Sequence, residues 1–332
     1  MATIEKGSIV LVSGANGYIA SHVCDQLLQA GYKVRGTVRS QDKADWLYER
    51  FDKKYGKGSF EAAMVPDMVA EGAFDKAVKG VSGICHVASV LNFSSDPEEV
   101  VTPVVKGTLG LFASATKEAT VKSFVLTSSS AAALLPMPDT EIIVTKDTWN
   151  DGAVKAAYEN KEVDGYTVYA ASKTAGERAL WKAVSETHPR FQVAAVLPNC
   201  NMGEILQPGG AMSASTGSWV SLLYTGDKTP LYYPPQCFVD VQDTARLHVA
   251  ALTDPGCNGE RIFAVAEPFS WNDILAILRR NFPGKSFMDD IKPSRDLSRI
   301  PSGDALALLQ KYYGKGWTTL EESVKRNVAQ LV

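Results

Sequence analysis

Cysteine, histidine and long apolar runs are scarce in this sequence, and each scarcity excludes something. The five cysteines (Cys24, Cys85, Cys200, Cys237 and Cys257) are odd in number, scattered, and never arranged as C-x-x-C. That argues against a disulfide framework or a zinc site and for reduced, intracellular thiols. His22, His86, His188 and His248 are dispersed without metal-ligand spacing, so no metal is expected. The N-terminal apolar run ends at Val12 and leads straight into glycines, and no stretch approaches the roughly 20 residues a bilayer span requires. A soluble, cytoplasmic protein is the expectation. Charge of one sign does not accumulate either: 34 basic residues balance 37 acidic ones without a long run of either. This argues against nucleic acid or an anionic membrane surface as partner and for a small molecule.

What is present is enough apolar residue, 45% of 332, to fill more than one core, so two lobes are expected. Short β-branched runs at residues 8–13, 33–38, 60–65, 83–88, 123–127 and 192–197 alternate with helix-like stretches at 18–30, 43–55, 70–79, 98–118 and 169–186. That rhythm predicts a doubly wound, Rossmann-type α/β sheet. After Asn199 the alternation lapses, Gly, Pro and Ser cluster over 202–218, and aromatics accumulate. A smaller substrate-binding lobe is expected over 201–235 and 266–332. The dinucleotide-binding domain would take 1–200 and return to the sheet over about 236–265, where a strand from Phe238 precedes a helix that Asp243 could cap.

The strand Ile9-Val10-Leu11-Val12 runs into Ser13-Gly14-Ala15-Asn16-Gly17-Tyr18-Ile19-Ala20 and then an amphipathic helix. Gly14 permits a tight turn, Gly17 lets the backbone approach a pyrophosphate, and the helix N-terminus offers free N–H groups to it. Gly14, Asn16, Gly17, Tyr18 and Ile19 are therefore expected to bind a dinucleotide, although the spacing departs by one residue from G-x-G-x-x-G. The second strand ends Val38-Arg39-Ser40 where an NAD site would carry an acid. Arg39, with Lys43 a turn into the next helix, fits the 2′-phosphate of NADPH, and Asp42 is the only nearby acid that favours NAD. Asp67 at the end of the third strand either accepts from an adenine amino group, with Met68 packed on the ring, or caps a helix from Val69. The fourth strand ends in Val87-Ala88-Ser89, small enough to pass beside a ribose, and His86 before it reads as a packed histidine.

Tyr169-Ala170-Ala171-Ser172-Lys173 places a phenol and an ammonium one helical turn apart on one face. The lysine charge is expected to lower the tyrosine pKa, making Tyr169 a general acid. The same spacing also arises by chance as a solvated pair. The fifth strand ends Thr127-Ser128-Ser129-Ser130, and a hydroxyl there can donate to a carbonyl oxygen as charge develops on it.

The joint order of glycine turn, Arg39, serine cluster and Tyr-x-x-x-Lys resembles the extended short-chain dehydrogenase/reductase family over essentially the whole chain. It is most similar to the branch holding plant dihydroflavonol reductases and yeast-type NADPH-dependent aldehyde and ketone reductases. The segments carrying the likeness are VSGANGYIASHV (12–23), GYKVRGTVRS (31–40), FVLTSSSAA (124–132), YAASKTAGE (169–177), LPN (197–199) and FVDVQDTARLHVAAL (238–252). The resemblance implies Ser129, Tyr169 and Lys173 as the catalytic set, with Lys173 also bonding the nicotinamide ribose and Pro198 and Asn199 beside the nicotinamide. It further implies that a hydroxyl among Ser213, Ser215 and Thr216 reaches the phosphates. Some members hold a proton-relay water with an asparagine on the fourth helix, and residues 102–115 contain none. Ala131-Ala132-Ala133 lacks the polar side chain with which flavonoid reductases meet their substrate, and the Asn-Trp-Tyr-Cys-Tyr signature of cinnamoyl-CoA reductases is absent. An apolar pocket lined by Phe93, Leu134, Tyr166, Trp219, Leu223, Gln236 and Phe238 is the expected consequence. The implied activity is NADPH-dependent reduction of aldehydes or ketones bearing a hydrophobic substituent. Alternatives are a dihydroflavonol-type reductase, a sugar-nucleotide epimerase or dehydratase, and a non-catalytic NADP-binding redox sensor; relatives also allow a homodimer through the helices at 98–118 and 169–186.

Overall fold

The computed structural model describes residues 3–212 and 214–332; Ser213, one of the three hydroxyl residues considered for the phosphates, lies outside them. Among the described residues, ten strands and ten helices succeed one another in chain order. The strands are β1 (Ile9–Val12), β2 (Lys33–Val38), β3 (Phe60–Met64), β4 (Gly83–His86), β5 (Ser123–Thr127), β6 (Gln192–Pro198), β7 (Cys200–Met202), β8 (Cys237–Asp240), β9 (Arg261–Ala264) and β10 (Glu267–Pro268). The helices are α1 (Tyr18–Gln29), α2 (Asp45–Tyr55), α3 (Pro97–Lys117), α4 (Asp151–Glu159), α5 (Gly165–Thr187), α6 (Ser218–Thr225), α7 (Val241–Thr253), α8 (Trp271–Asn281), α9 (Gly303–Tyr313) and α10 (Leu320–Asn327).

Seven strands form one parallel sheet in the order β3-β2-β1-β4-β5-β6-β9. Helices cover both faces, so the central strands read as unbroken apolar runs such as Ile9-Val10-Leu11-Val12. The chain reverses direction across the sheet between β1 and β4, and ligands of such sheets bind in the crevice beyond that switch point. Ser13 closes it: its hydroxyl accepts from the amides of Val87 and Ala88, each at 2.9 Å, and donates to His86 Nδ1 at 2.8 Å. Burial lowers the His86 pKa to about 3, with the Lys173 charge adding to that, so the ring stays neutral and structural, as expected.

Three expectations are corrected. Residues 70–79 form turns rather than a helix, with Gly72 in a left-handed backbone, φ +67°, interrupting the helical path in its first turn. The strand from Phe238 does not rejoin the main sheet; β8 pairs with β7 and β10 in a separate three-stranded sheet, and β9 makes the return beside β6. Asp243 is not the cap of α7. Asp240 caps it, accepting from the Gln242 amide at 2.8 Å, while Asp243 is buried against Arg246.

A separate core gathers Trp219, Phe238, Phe269 and Trp271 with Ile274 and Leu278. Helix α7 packs instead into the main core with α1. So does α9, through Ala305 and Leu309. All five cysteines are buried free thiols. Among the described residues no group of three or more metal-binding side chains occurs, and no helix is long and apolar enough to cross a membrane.

Candidate active site

Beyond the carboxyl ends of the strands runs a cleft of about 420 Å³. One end is walled by Gly14, Asn16, Gly17, Tyr18 and Ile19, with Arg39 and Lys43 at its rim. Val87, Ala88 and Ser89 form one side, and Met68 packs there too. The other end reaches Ser129, Tyr169 and Lys173, with Pro198, Asn199, Ser215 and Thr216 opposite. Asp67 does not line it: exposed at the sheet edge, its carboxylate accepts from the Val69 amide at 3.0 Å and closes a local turn.

The residues of this cleft fit a dinucleotide. Helix α1 begins without a side-chain cap and without an acidic residue in its first turn, which leaves N–H groups and the positive dipole end for an anion. Gly14 sits at φ +65°, and a Cβ there would stand 3.1 Å from Ala88 Cβ, so the two loops that form the crevice touch only because residue 14 has no side chain. The Ser89 hydroxyl oxygen is buried without a partner in the wall of the cleft. Among the described residues Arg39 finds no hydrogen-bond or ion-pair partner, which leaves its donors at the cleft rim for an anion. Lys43 pairs with Asp42 at 3.1 Å, both largely exposed.

A second chamber of about 240 Å³ joins the cleft, and the two share Leu91, Ser129, Tyr169, Asn199, Ser215 and Thr216. Phe93, Leu134, Tyr166, Trp219 and Gln236 line it as expected; Leu223 and Phe238 do not. Both are buried in the separate core around Trp219 and Phe269, and in β8 the side chain of Phe238 alternates to the face opposite its neighbours Cys237 and Val239. Sequence reasoning missed Leu91, Pro136 and Tyr233. The aromatic cluster over 219–233 was the available signal for Tyr233. Its ring stacks on Trp219 at 4.6 Å and meets Tyr166 edge-on at 5.9 Å, and Tyr166 in turn lies parallel to Tyr169 at 6.4 Å.

Helix α5 starts a turn earlier than the sequence suggested, capped by Asp164, which accepts from the Thr167 amide at 2.9 Å. This places Tyr169 and Lys173 well inside a rigid, buried helix. Lys173 donates to the Thr127 carbonyl at 3.4 Å and lies 5.8 Å from the centre of the Tyr169 ring. The expected depression of the Tyr169 pKa is not found. Burial pushes the phenol up from its ordinary value, and the Ser129 hydroxyl pulls it only partly back. The reason is that Lys173 is itself buried, which lowers its pKa to about 8 against the opposing pull of Glu177, and desolvation of the phenolate outweighs a charge at that separation. Tyr169 is thus protonated at neutral pH. Ser129 accepts from the Ala131 amide at 3.1 Å, which leaves its own proton free to donate.

The NAD dependent epimerase/dehydratase family matches residues 10–266. The chain belongs to that family. Among curated relatives it is 42% identical over 331 residues to aldehyde reductase 2 of Sporidiobolus salmonicolor, covering 98% of this chain and 96% of that protein. It is 41% identical to ketoreductase adrE of Penicillium roqueforti, covering 98% and 97%. Among solved structures, yeast methylglyoxal/isovaleraldehyde reductase Gre2 complexed with NADPH superposes with a TM-score of 0.85 at 29% identity over 97% of this chain and 98% of that one.

In this family member the mouth of the chamber is set by Phe93, which has a left-handed backbone, φ +50°, and whose ring rests 5.4 Å from that of Tyr169. A Cβ on Gly165 would stand 1.9 Å from the Phe93 carbonyl oxygen, so the loop can lie there only over a glycine. Gly165→Ala is therefore expected to displace Phe93 and raise KM for a bulky carbonyl substrate about tenfold, within the 1–3 kcal/mol typical of overpacking. NADPH affinity, followed by cofactor fluorescence, should stay unchanged.

Proposed function

We propose that this protein is an NADPH-dependent reductase of aldehydes and ketones with hydrophobic substituents, returning the alcohol. The observation that carries the reading is that the dinucleotide cleft and the aromatic chamber meet at Ser129 and Tyr169. A carbonyl group held at that junction has its oxygen beside two hydroxyls. When bound, the nicotinamide supplies the hydride. Ser129 orients the carbonyl oxygen by donating to it, and Tyr169 holds the proton that the oxygen takes up as charge develops. A phenol kept protonated by burial suits that donor role. Lys173, which faces the Tyr169 ring, would hold the ribose end of the cofactor, and the aromatic walls would exclude water from the junction.

The names of the relatives, an aldehyde reductase and a ketoreductase, support this chemistry. A sugar-nucleotide substrate fits less well, because no lysine or arginine among the described residues lines the chamber to meet a diphosphate. The retained Tyr169 and Lys173 argue against a non-catalytic redox sensor. We further infer a cytoplasmic enzyme, with pairing through α3 and α5 as the expected mode if it dimerises.

The test is NADPH oxidation against a panel of aryl ketones, ketoesters and aldehydes, with a flavanonol and a sugar nucleotide as controls. Turnover of the controls alone would overturn the reading. In the same assay Arg39→Ala should raise KM for NADPH about 10- to 100-fold, the equivalent of losing a charge-assisted hydrogen bond to a phosphate, and leave KM for NADH nearly unchanged. Equal losses for both cofactors would remove Arg39 from phosphate selection.

A further inference from the structure

The stripe of α5 that carries Tyr169 and Lys173 continues one turn further to Glu177, whose residue is 1% exposed. Both of its carboxylate oxygens are saturated. Oε1 accepts from Arg261 Nε at 2.7 Å and from Trp181 Nε1 at 3.1 Å; Oε2 accepts from Arg261 Nη2 at 3.2 Å and from the Ser128 hydroxyl at 2.7 Å. Arg261 is fixed in its turn. Its guanidinium lies 3.9 Å over the face of Trp149 and donates to the carbonyls of Lys146 and Thr148, each at 2.7 Å.

A buried ion pair is seldom retained for stability, since a well-packed apolar pair often does as well. This one joins β9, at the edge of the sheet, to the residue that precedes Ser129 and to the helix that presents Lys173. We propose that Glu177 is a positioning residue for the reductase reaction: clamped by Arg261, its carboxylate holds the end of β5 through Ser128 and sets its charge one turn beyond Lys173 on the same face of α5.

The titratable and charged groups that face Lys173 are Tyr169 and Glu177 on its own helix and His86 at the end of β4, with Arg261 of β9 behind Glu177. His86 is neutral and Tyr169 is protonated, so Glu177 is the one anion among them. Its pull on Lys173 opposes the desolvation that lowers the lysine pKa to about 8. A lysine loses its charge as pH rises through its pKa, so removing the carboxylate's charge moves that loss to lower pH.

The inference rests on the proposed reductase reading for its purpose, but its test does not depend on turnover. Acylation of the Lys173 amine in the free protein, followed across pH by peptide mass spectrometry, reports the ionisation of that side chain. In Glu177→Gln, which keeps the shape and an acceptor for Ser128 but no charge, the curve should move down by about one pH unit. An unmoved curve overturns the proposal. If Glu177→Gln folds poorly because Arg261 is left unpaired, the Glu177→Met/Arg261→Met pair removes both charges; Arg261 lies behind Glu177 and opposes it more weakly at Lys173, so the curve should still move down, by less than in Glu177→Gln, and an unmoved curve again overturns the proposal. In kinetics the alkaline limb of kcat should shift to lower pH by a similar amount at unchanged KM for the carbonyl. A kcat that falls equally at every pH, with the limb in place, would reduce Glu177 to a structural clamp and overturn its charge role. A wild-type protein inert toward every carbonyl would sink the proposed activity, while the Lys173 labelling curve would still decide this inference.

Discussion

Replacing Tyr169 with phenylalanine is expected to lower kcat by about 10²- to 10⁴-fold, the range of a general acid's contribution, while the dissociation constant for NADPH stays within a factor of two or three. The change deletes one oxygen. The ring keeps its tilted contact with Phe93 and its parallel contact with Tyr166, so packing and the chamber wall survive. Stopped-flow NADPH oxidation with a saturating aldehyde measures the first quantity, and cofactor fluorescence the second. Turnover near the wild-type rate would remove the proton-donor role from Tyr169. A parallel loss of cofactor affinity would mean that the phenol acts mainly on the nicotinamide ribose.

The second large effect is expected at the glycine turn. Gly14→Val places a β-branched residue at φ +65°, a conformation such residues essentially do not adopt, and sets its Cβ 3.1 Å from Ala88 Cβ and 3.3 Å from Ala88 Cα. The left-handed backbone costs about 1–2 kcal/mol and the overpacking about 1–3 kcal/mol. Relief requires the β1 and β4 loops to part, which breaks the Ser13 bonds to the amides of Val87 and Ala88. The crevice then no longer presents the N-terminus of α1 and the Ala88 backbone at one spacing. Binding of NADPH should weaken at least about 100-fold, with a lower melting temperature and an intact parallel sheet by circular dichroism. NADPH titration reads the first, and full affinity would show that the dinucleotide does not use this turn.

These two positions also mark what could be read without coordinates. The strand-turn-helix at residues 12–23, the tyrosine and lysine four apart, and the strand boundaries at 33–38 and 123–127 depend on neighbours in the chain: β-branched runs, a glycine where φ must be positive, and helical periodicity. The lapse in alternation and the aromatic cluster mark a stretch whose Trp219, Tyr224 and Tyr233 pack in a core apart from the main sheet. Strand β9, four residues Arg-Ile-Phe-Ala, has no periodic signature, and its place beside β6 is decided by pairing across the sheet. The same holds for α9, whose Ala305 and Leu309 complete a core begun at Ile4 and Val10.

The primary sequence by itself therefore determined the sheet's winding, the place of the glycine turn and the one-turn spacing of Tyr169 and Lys173, because each depends on residues a few positions apart. Only the tertiary structure decided the direction of the Tyr169 pKa, the exclusion of Phe238 and Asp67 from the cavities, the seat of Phe93 over Gly165, and the Glu177–Arg261 pair. Desolvation, close approach and burial depend on which distant segments come to surround a group, and local sequence carries no record of that company.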